Sequence, residues 1–328
     1  MLHHLPKVEL HLHLDCSLSY EVVKMLDPSV SEEEFDIAFK APFDCSSLLD
    51  YIKRAARPIE LMQTQEQLRL VTLDLFKQLK ADHVVYAEIR FAPLQHLQKG
   101  LTPEEVVAAV NDATAEGMET FGIEAGIILC TLRHFTEAQS LLTAKLAAQF
   151  SNTHVVGFDI AADECLPIEN HVSSFQYAHQ HGIPCTAHAG EARGAESVWE
   201  SLDMLHPKRI GHGVRSAEDP KLLSHLKQND IHLEVCVSSN IKTAVFSNVK
   251  DHTAPAIYQS GVSMSINTDG RTITDVTLSD EYKLMENTFG WGMEELKRCN
   301  LEAIRHSFAS AEVKNKIAAI IEAGYPTK

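Results

Sequence analysis

The stretch "KVELHLHLD", residues 7–15, decides how the chain is read. Taken as a β-strand, "KVELHLHL" (7–14) alternates its side chains between two faces. His11 and His13 then point one way and Leu10, Leu12 and Leu14 the other. Two adjacent imidazoles on a buried face read equally as hydrogen-bonded core histidines or as a pair of metal ligands. A metal site needs further ligands from elsewhere in the chain.

Seven more β-rich apolar runs follow the first, separated by segments of helical periodicity. They are "VVYAEIRFAP" (84–93), "EAGIILCTL" (124–132), "VVGFDIAADE" (155–164), "PCTAHAGE" (184–191), "RIGHGV" (209–214), "HLEVCVSS" (232–239) and "SMSINTDG" (263–270). The helix signals between them are explicit: in "TPEEVVAAVNDATAEGMETFG", Thr102 is placed to cap, Pro103 to open the first turn, and Glu104 and Glu105 to favour the helix N-terminus. Alternation of strand and helix is the signature of βα units. Eight units without a linker predict an α/β protein, a TIM-type (β/α)8 barrel occupying residues 1–328 as a single domain. Residues 15–83 exceed one crossover and predict extra helices between strands 1 and 2, near the barrel mouth. From 275 onward the pattern predicts C-terminal helices closing the barrel.

A barrel of this kind carries its reactive groups at the C-terminal ends of the strands. The polar residues of these runs collect there: His11 and His13 on strand 1, Asp163 and Glu164 on strand 4, His188 and Glu191 on strand 5, His212 on strand 6, Asp269 on strand 8. Singly, each has an ordinary structural reading; an aspartate in "NTDG" is usually a turn residue. Together they predict one metal site of three imidazoles and a carboxylate, His11, His13, His188 and Asp269, a donor set suited to one Zn2+ per chain. Glu191 and His212 remain as the free titratable groups beside it.

Composition narrows the partners. The 328 residues are 45% apolar and 23% charged, with a formal net charge of −16. A chain this acidic argues against a nucleic-acid partner, which is held by Lys and Arg. A small uncharged or cationic ligand suits it better. Seven cysteines without a C-x-x-C pair read as reduced thiols. No run approaches a membrane span, and "MLHHLPKVEL" lacks the regions of a signal peptide, so a cytoplasmic protein is expected. The oligomeric state has no signal in the sequence.

The motifs "KVELHLHLD", "TAHAGE", "RIGHG", "VSSN" and "NTD", in this order from Leu5 to about Phe308, resemble those of the adenosine deaminase family. The resemblance implies zinc-dependent hydrolytic deamination of adenosine and 2′-deoxyadenosine in purine salvage. Glu191 is then expected to protonate purine N1, His212 to orient and deprotonate the attacking water, and Asp269 to accept a hydrogen bond from it. His13 and Asp15 face the substrate, Asp15 on the ribose side. The signature of the cytidine-type zinc deaminases is absent.

Three positions depart from the family near the substrate: Cys16 and Ala162 stand where it has glycine, and Gly270 where it often has a second aspartate that bonds purine N7. The Ala162 N–H can still serve if the backbone tolerates a Cβ, and Arg271 or Thr272 are candidates to reach the ring in place of the lost acid. Val237 replaces a proline of the family's turn. These departures keep alive the same chemistry on adenine, an N6-substituted purine or a 5′-modified nucleoside. A nucleotide would need local arginines such as Arg193 and Arg271. An inactive nucleoside-binding module would predict losses among the ligands, Glu191 or His212, and none is lost.

Overall fold

In the computed structural model of the chain, eight parallel strands form where the eight runs predict them: β1 Lys7–His13, β2 Val84–Phe91, β3 Glu124–Leu132, β4 Val155–Ala161, β5 Thr186–Ala189, β6 Arg209–His212, β7 His232–Val235 and β8 Met264–Ile266. Described are residues 2–42 and 45–325; 1, 43–44 and 326–328 of the expected 1–328 domain lie outside the described residues. β1 to β4 pair in order, as do β5 to β8. Parallel bridges Leu12–Asp269 and Phe158–Cys185 join the two sheets on both sides, closing the barrel.

Along each strand one set of side chains, including Leu10, Leu12, Ile89, Leu129, Ile160 and Leu233, belongs to a continuous apolar layer running from Leu2 to Tyr325. Its helices carry the caps that the sequence announces. Thr102 accepts from the Glu105 N–H while the Glu105 carboxylate accepts from the Thr102 N–H, a reciprocal cap on Pro103–Phe121.

Inside the barrel the filling is ionic. Arg90 on β2 reaches Asp159 on β4 (2.9 Å) and Glu234 on β7 (2.7 Å). Arg209 on β6 reaches Glu234 (2.7 Å) and Glu88 on β2 (2.6 Å). β2 and β7 are not neighbours, so the Arg90–Glu234 pair crosses the interior. The C-terminal helices Met293–His306 and Ala311–Gly324 close the lower end, and between them the Phe308 ring lies 3.7 Å from the Arg209 guanidinium.

Between β1 and β2 five α-helices form, with Ser19, Ser31, Ser47 and Thr64 capping four of them. Leu48–Ile52 and Ala56–Glu60 lie over the mouth. A small separate core of Ala41, Cys45, Tyr51 and Ile273, with Cys16, Ile52 and Ala55 against it, seats this roof. Tyr51 Oη bonds Thr274 Oγ1 (2.7 Å), the Ala41 N–H donates to the Ile273 carbonyl (2.8 Å), and Lys242 Nζ donates to the Ala41 carbonyl (2.8 Å).

Candidate active site

All four expected ligands meet at the strand ends. One donor atom from each of His11, His13, His188 and Asp269 lies within 4.8 Å of the others. His13 Nε2 is 3.2 Å from His188 Nε2; Asp269 Oδ1 is 3.3 Å from His11 Nε2 and 3.4 Å from His13 Nε2. A tetrahedral set with donors about 2.0–2.1 Å from a common centre has edges of about 3.3 Å.

Proton placement strengthens the fit. His11 Nδ1 lies 2.8 Å from Glu234 Oε2 and His188 Nδ1 3.1 Å from Asp159 Oδ2. The carboxylates hold the imidazole hydrogens on Nδ1 and turn the Nε2 lone pairs inward, the usual support of metal-ligating histidines. His11 Nε2 is fully buried without a hydrogen-bond donor. Lone pairs and a carboxylate facing one another without a donor suit a cation. Burial opposes charge on Asp269, but the surrounding histidines outweigh it and hold the acid well below the usual carboxylate range. Burial opposes charge on Glu234 as well, and Arg90 and Arg209 outweigh it.

Backbone strain aims the site. Asp269, His212 and Ala162, each at or just beyond a strand end, adopt left-handed φ values of 67°, 60° and 77°. Such conformations cost of order 1–3 kcal/mol and persist where the surrounding structure enforces them. Ala162 therefore sits in a conformation that favours glycine, and the Cβ it carries is a source of strain.

Glu191, 4% exposed, accepts from Thr243 Oγ1 (3.0 Å) and has its other oxygen 3.5 Å from His212 Nε2. Burial, then repulsion from Asp269 and Glu164, pushes its carboxyl well above the usual range, so it holds a proton. The loop carrying it is tied by Glu164, which accepts from the N–H groups of Gly190 (2.5 Å), Glu191 (3.0 Å) and Arg193 (3.0 Å) and from the Ser197 hydroxyl. Glu164, counted by its position among the polar strand-end residues, thus positions Glu191.

His212 is oriented by a directed chain. The Ala254 N–H donates to His252 Nδ1 (3.0 Å), which leaves the His252 hydrogen on Nε2 to donate to Asn240 Oδ1 (3.2 Å). The Asn240 amide nitrogen then donates to His212 Nδ1 (3.2 Å). A neutral His212 consequently carries its hydrogen on Nε2, toward the mouth. Burial pushes this imidazole well below its ordinary pKa.

These groups line an open cavity of about 700 Å³, mouth included. Asp15, Cys16, Ala162 and Gln95 join His13, His188, Glu191, His212 and Asp269, with Leu48, Tyr51, Ile52 and Ile273 as the apolar wall. Burial pushes the Asp15 carboxyl up to about 6. Among the described residues, no Lys or Arg lines the cavity. Arg271 turns away into Glu9 (2.7 Å) and Asp82 (3.0 Å), and Thr272 donates to the Leu18 carbonyl, so neither reaches the ring in the way expected. Arg193 pairs with Glu200 (2.5 Å).

Gly270 is closed in by Cys16. A Cβ at 270 would lie 2.6 Å from Cys16 Cβ and 3.1 Å from its carbonyl. The two departures are therefore one: the side chain at 16 fills the space that a side chain at 270 would need.

Residues that strand-end reasoning passes over include Asp159, Glu234, Ser239, Asn240, Thr243 and Tyr51. The first two had a visible signal, a lone charge inside an apolar strand ("VGFDIA", "HLEVCV"), which requires a buried partner. Ser239 and Asn240 fall within the "VSSN" motif, which carried no role for them; Tyr51 and Thr243 show no signal, because helix packing brings them in.

The chain matches the family model described as Adenosine deaminase over residues 6–323. It is 38% identical over 318 residues to "Adenosine deaminase" of Clostridium acetobutylicum, covering 94% of this chain and 95% of that one. Among solved structures, an adenine deaminase from Arthrobacter aurescens superposes with TM-score 0.90 at 25% identity, covering 97% and 98% of the two chains. An amidohydrolase from Burkhoderia ambifaria with bound Zn superposes with TM-score 0.90 at 22% identity, covering 99% and 91%.

Proposed function

The chain belongs to the adenosine deaminase family, and on that premise we propose that it hydrolyses adenosine, and 2′-deoxyadenosine with it, to the 6-oxo nucleoside and ammonia. The observation that carries this is the convergence of the His11, His13, His188 and Asp269 donors with a proton-holding Glu191 in one cavity whose described lining residues include no Lys or Arg. We read residues 1–328 as one metal-dependent hydrolase domain, a reading supported by a family match over residues 6–323.

His11, His13, His188 and Asp269 would hold one zinc ion per chain, which would supply a water whose pKa falls from about 15.7 toward about 7, a nucleophile at neutral pH. The chain's own residues do the rest. Glu191 gives its proton to purine N1, which makes C6 electrophilic. His212, with Nδ1 occupied by Asn240, presents Nε2–H as a donor that orients the water; the chain from Ala254 favours this orienting role over the deprotonating one. Asp269, its Oδ2 fixed by Ser239 Oγ at 2.7 Å, keeps Oδ1 facing the ligand histidines. The water oxygen becomes the 6-oxo group; of its two protons one passes to the amino nitrogen, which leaves as ammonia when the C6–N bond breaks, and the other restores the Glu191 carboxyl. Asp15 holds the ribose side, and His13, the Ala162 N–H and the Gly270 backbone face the substrate.

The lining argues for a nucleoside over a nucleotide, because an anionic phosphate would meet Asp15 without a cation to answer it. The second reading keeps the chemistry and changes the substrate to adenine or to an N6- or 5′-modified purine. It is favoured by Cys16, which fills the wall beside Gly270. The reaction fits purine salvage in the cytoplasm, and among the described residues no helix is long and apolar enough to cross a membrane.

The test is to present zinc-loaded protein with adenosine, 2′-deoxyadenosine, adenine, 5′-methylthioadenosine and N6-methyladenosine separately, following ultraviolet change and released ammonia or amine. Fastest turnover of adenosine is expected. A preferred alternative purine would transfer the reading to that substrate, and no turnover of any would favour a nucleoside-binding module.

A further inference from the structure

At the other end of β1 lies a second group of imidazoles that the reaction does not use. His3 and His4 stand in a short turn, Leu2–His4, just before β1, and His83 stands just before β2. Both positions are at the N-terminal ends of the strands. A strand of seven residues spans about 23 Å, so this face is far from the mouth.

We propose that His3, His4 and His83 form a second metal site, for a divalent transition ion of the Zn2+, Ni2+ or Cu2+ class. One ring nitrogen from each lies within 4.8 Å of the others. His4 Nδ1 is 3.5 Å from His83 Nε2, close to the edge of a tetrahedral or octahedral nitrogen set at about 2.0–2.1 Å. The three rings meet edge to face, with centroids 5.1 to 5.4 Å apart. Imidazole selects borderline ions of the first transition row over Mg2+ or Ca2+, which take oxygen. Three nitrogens leave the remaining positions to solvent.

The two arms are held together before any ion arrives. The buried Lys7 ammonium donates to the His3 carbonyl (2.9 Å), the Leu5 carbonyl (3.0 Å) and the Asp82 carbonyl (2.7 Å), which ties the histidine turn to the corner carrying His83. The Lys7 N–H bonds the His83 carbonyl (3.1 Å), and the His83 N–H bonds the Lys80 carbonyl (3.1 Å). Leu2 and Leu5 anchor the turn in the core. His83 adopts a left-handed φ of 58°, a region that His, like Asn and Asp, enters more readily than other side chains. The neighbouring Asp82 carboxylate is occupied by Arg271, the Leu278 N–H (2.8 Å) and Ser279, so the site is one of nitrogens. An ion there binds the folded chain and staples its first turn to the corner before β2, which stabilises the fold by mass action.

The experiment uses untagged, zinc-loaded enzyme titrated with Ni2+ and then with Cu2+, reading stoichiometry by calorimetry and elemental analysis and thermal midpoint by circular dichroism. One further equivalent per chain is expected, bound more tightly for Cu2+ than for Ni2+, with a raised midpoint. His83→Asn keeps a residue tolerant of the left-handed backbone, and His4→Gln changes only an exposed side chain. Each is expected to weaken this equivalent at least tenfold and abolish the midpoint shift, with adenosine turnover unchanged. Absence of the extra equivalent in the unaltered protein, or its survival in both variants, would overturn the proposal.

Discussion

Two buried glutamates, Glu234 and Glu191, face the same cluster of histidines from different layers of the barrel and are held in opposite states. Glu234, on β7, is enclosed by Arg90, Arg209, the Thr186 hydroxyl and His11, and these partners hold it anionic. Glu191, in the mouth, has neutral Thr243 and Asn240 as donors and acids as its nearest charges, and burial keeps its proton on. The lower layer is complete within itself: each carboxylate meets a cation, and the result is rigid support. The mouth is incomplete: lone pairs, a held proton and a directed imidazole all face a space that a metal, a water and a purine can fill. Buried charge marks function where it lacks a protein partner.

The largest expected effect comes from making Glu191 resemble a permanently neutral group that cannot give a proton. Glu191→Gln should lower kcat by about 10²–10⁴-fold while zinc content, read by elemental analysis, stays at one per chain; normal turnover would remove it from the acid's role. The acid form is the active one, so kcat/KM in the parent should fall as pH rises through the raised pKa of this carboxyl.

Glu234→Gln attacks the other side of the contrast. It removes the anion that fixes His11 and leaves two buried arginines short of charge, so zinc affinity should fall by about 10–100-fold. Stability to urea should fall by about 3–5 kcal/mol. Unchanged zinc affinity in a competition with a chelator would show that the lower layer does not prepare the ligands.

Gly270→Asp tests the wall of the cavity. With Cys16 in place a new Cβ at 270 meets Cys16 Cβ at 2.6 Å, so the single change should lower adenosine kcat/KM. Cys16→Gly with Gly270→Asp should recover it, by about tenfold or more over the single variant, if an acid at this point contributes a charged hydrogen bond worth about 1.5–3 kcal/mol. A gain from the single change alone would show that the wall yields.

The smallest effect belongs to Ala162→Gly, which relieves a left-handed φ of 77°. The gain of about 1–2 kcal/mol in strain is offset by the entropy of a freer unfolded chain, leaving a rise of about 0.5 kcal/mol in urea unfolding. Adenosine KM should move little, since alanine and glycine carry the same N–H.

The eight strands, their order and the convergence of His11, His13, His188 and Asp269 were legible because strand period and barrel topology together place strand-end residues in one mouth. The expected strand ends ran two to four residues too far at β2, β4, β5, β6, β7 and β8; in "TAHAGE" and "NTDG" the chain turns through left-handed positions that sequence pattern does not encode. Arg271 turns away from the ring for a related reason. Its neighbour Asp269 faces the cavity, but a short helix, Arg271–Thr274, begins between them and rotates the guanidinium toward Glu9.

By itself, then, the sequence determined the barrel and the gathering of His11, His13, His188, Asp269 and Glu191 at one mouth, because these depend on residue type and on spacing along single strands. The tertiary structure alone decided that Glu191 keeps its proton, that His212 presents Nε2–H, that Cys16 occupies the space beside Gly270, and that helices 48–60 roof the cavity. Each of these depends on what surrounds a group in three dimensions, contributed by segments that lie tens to hundreds of residues away along the chain.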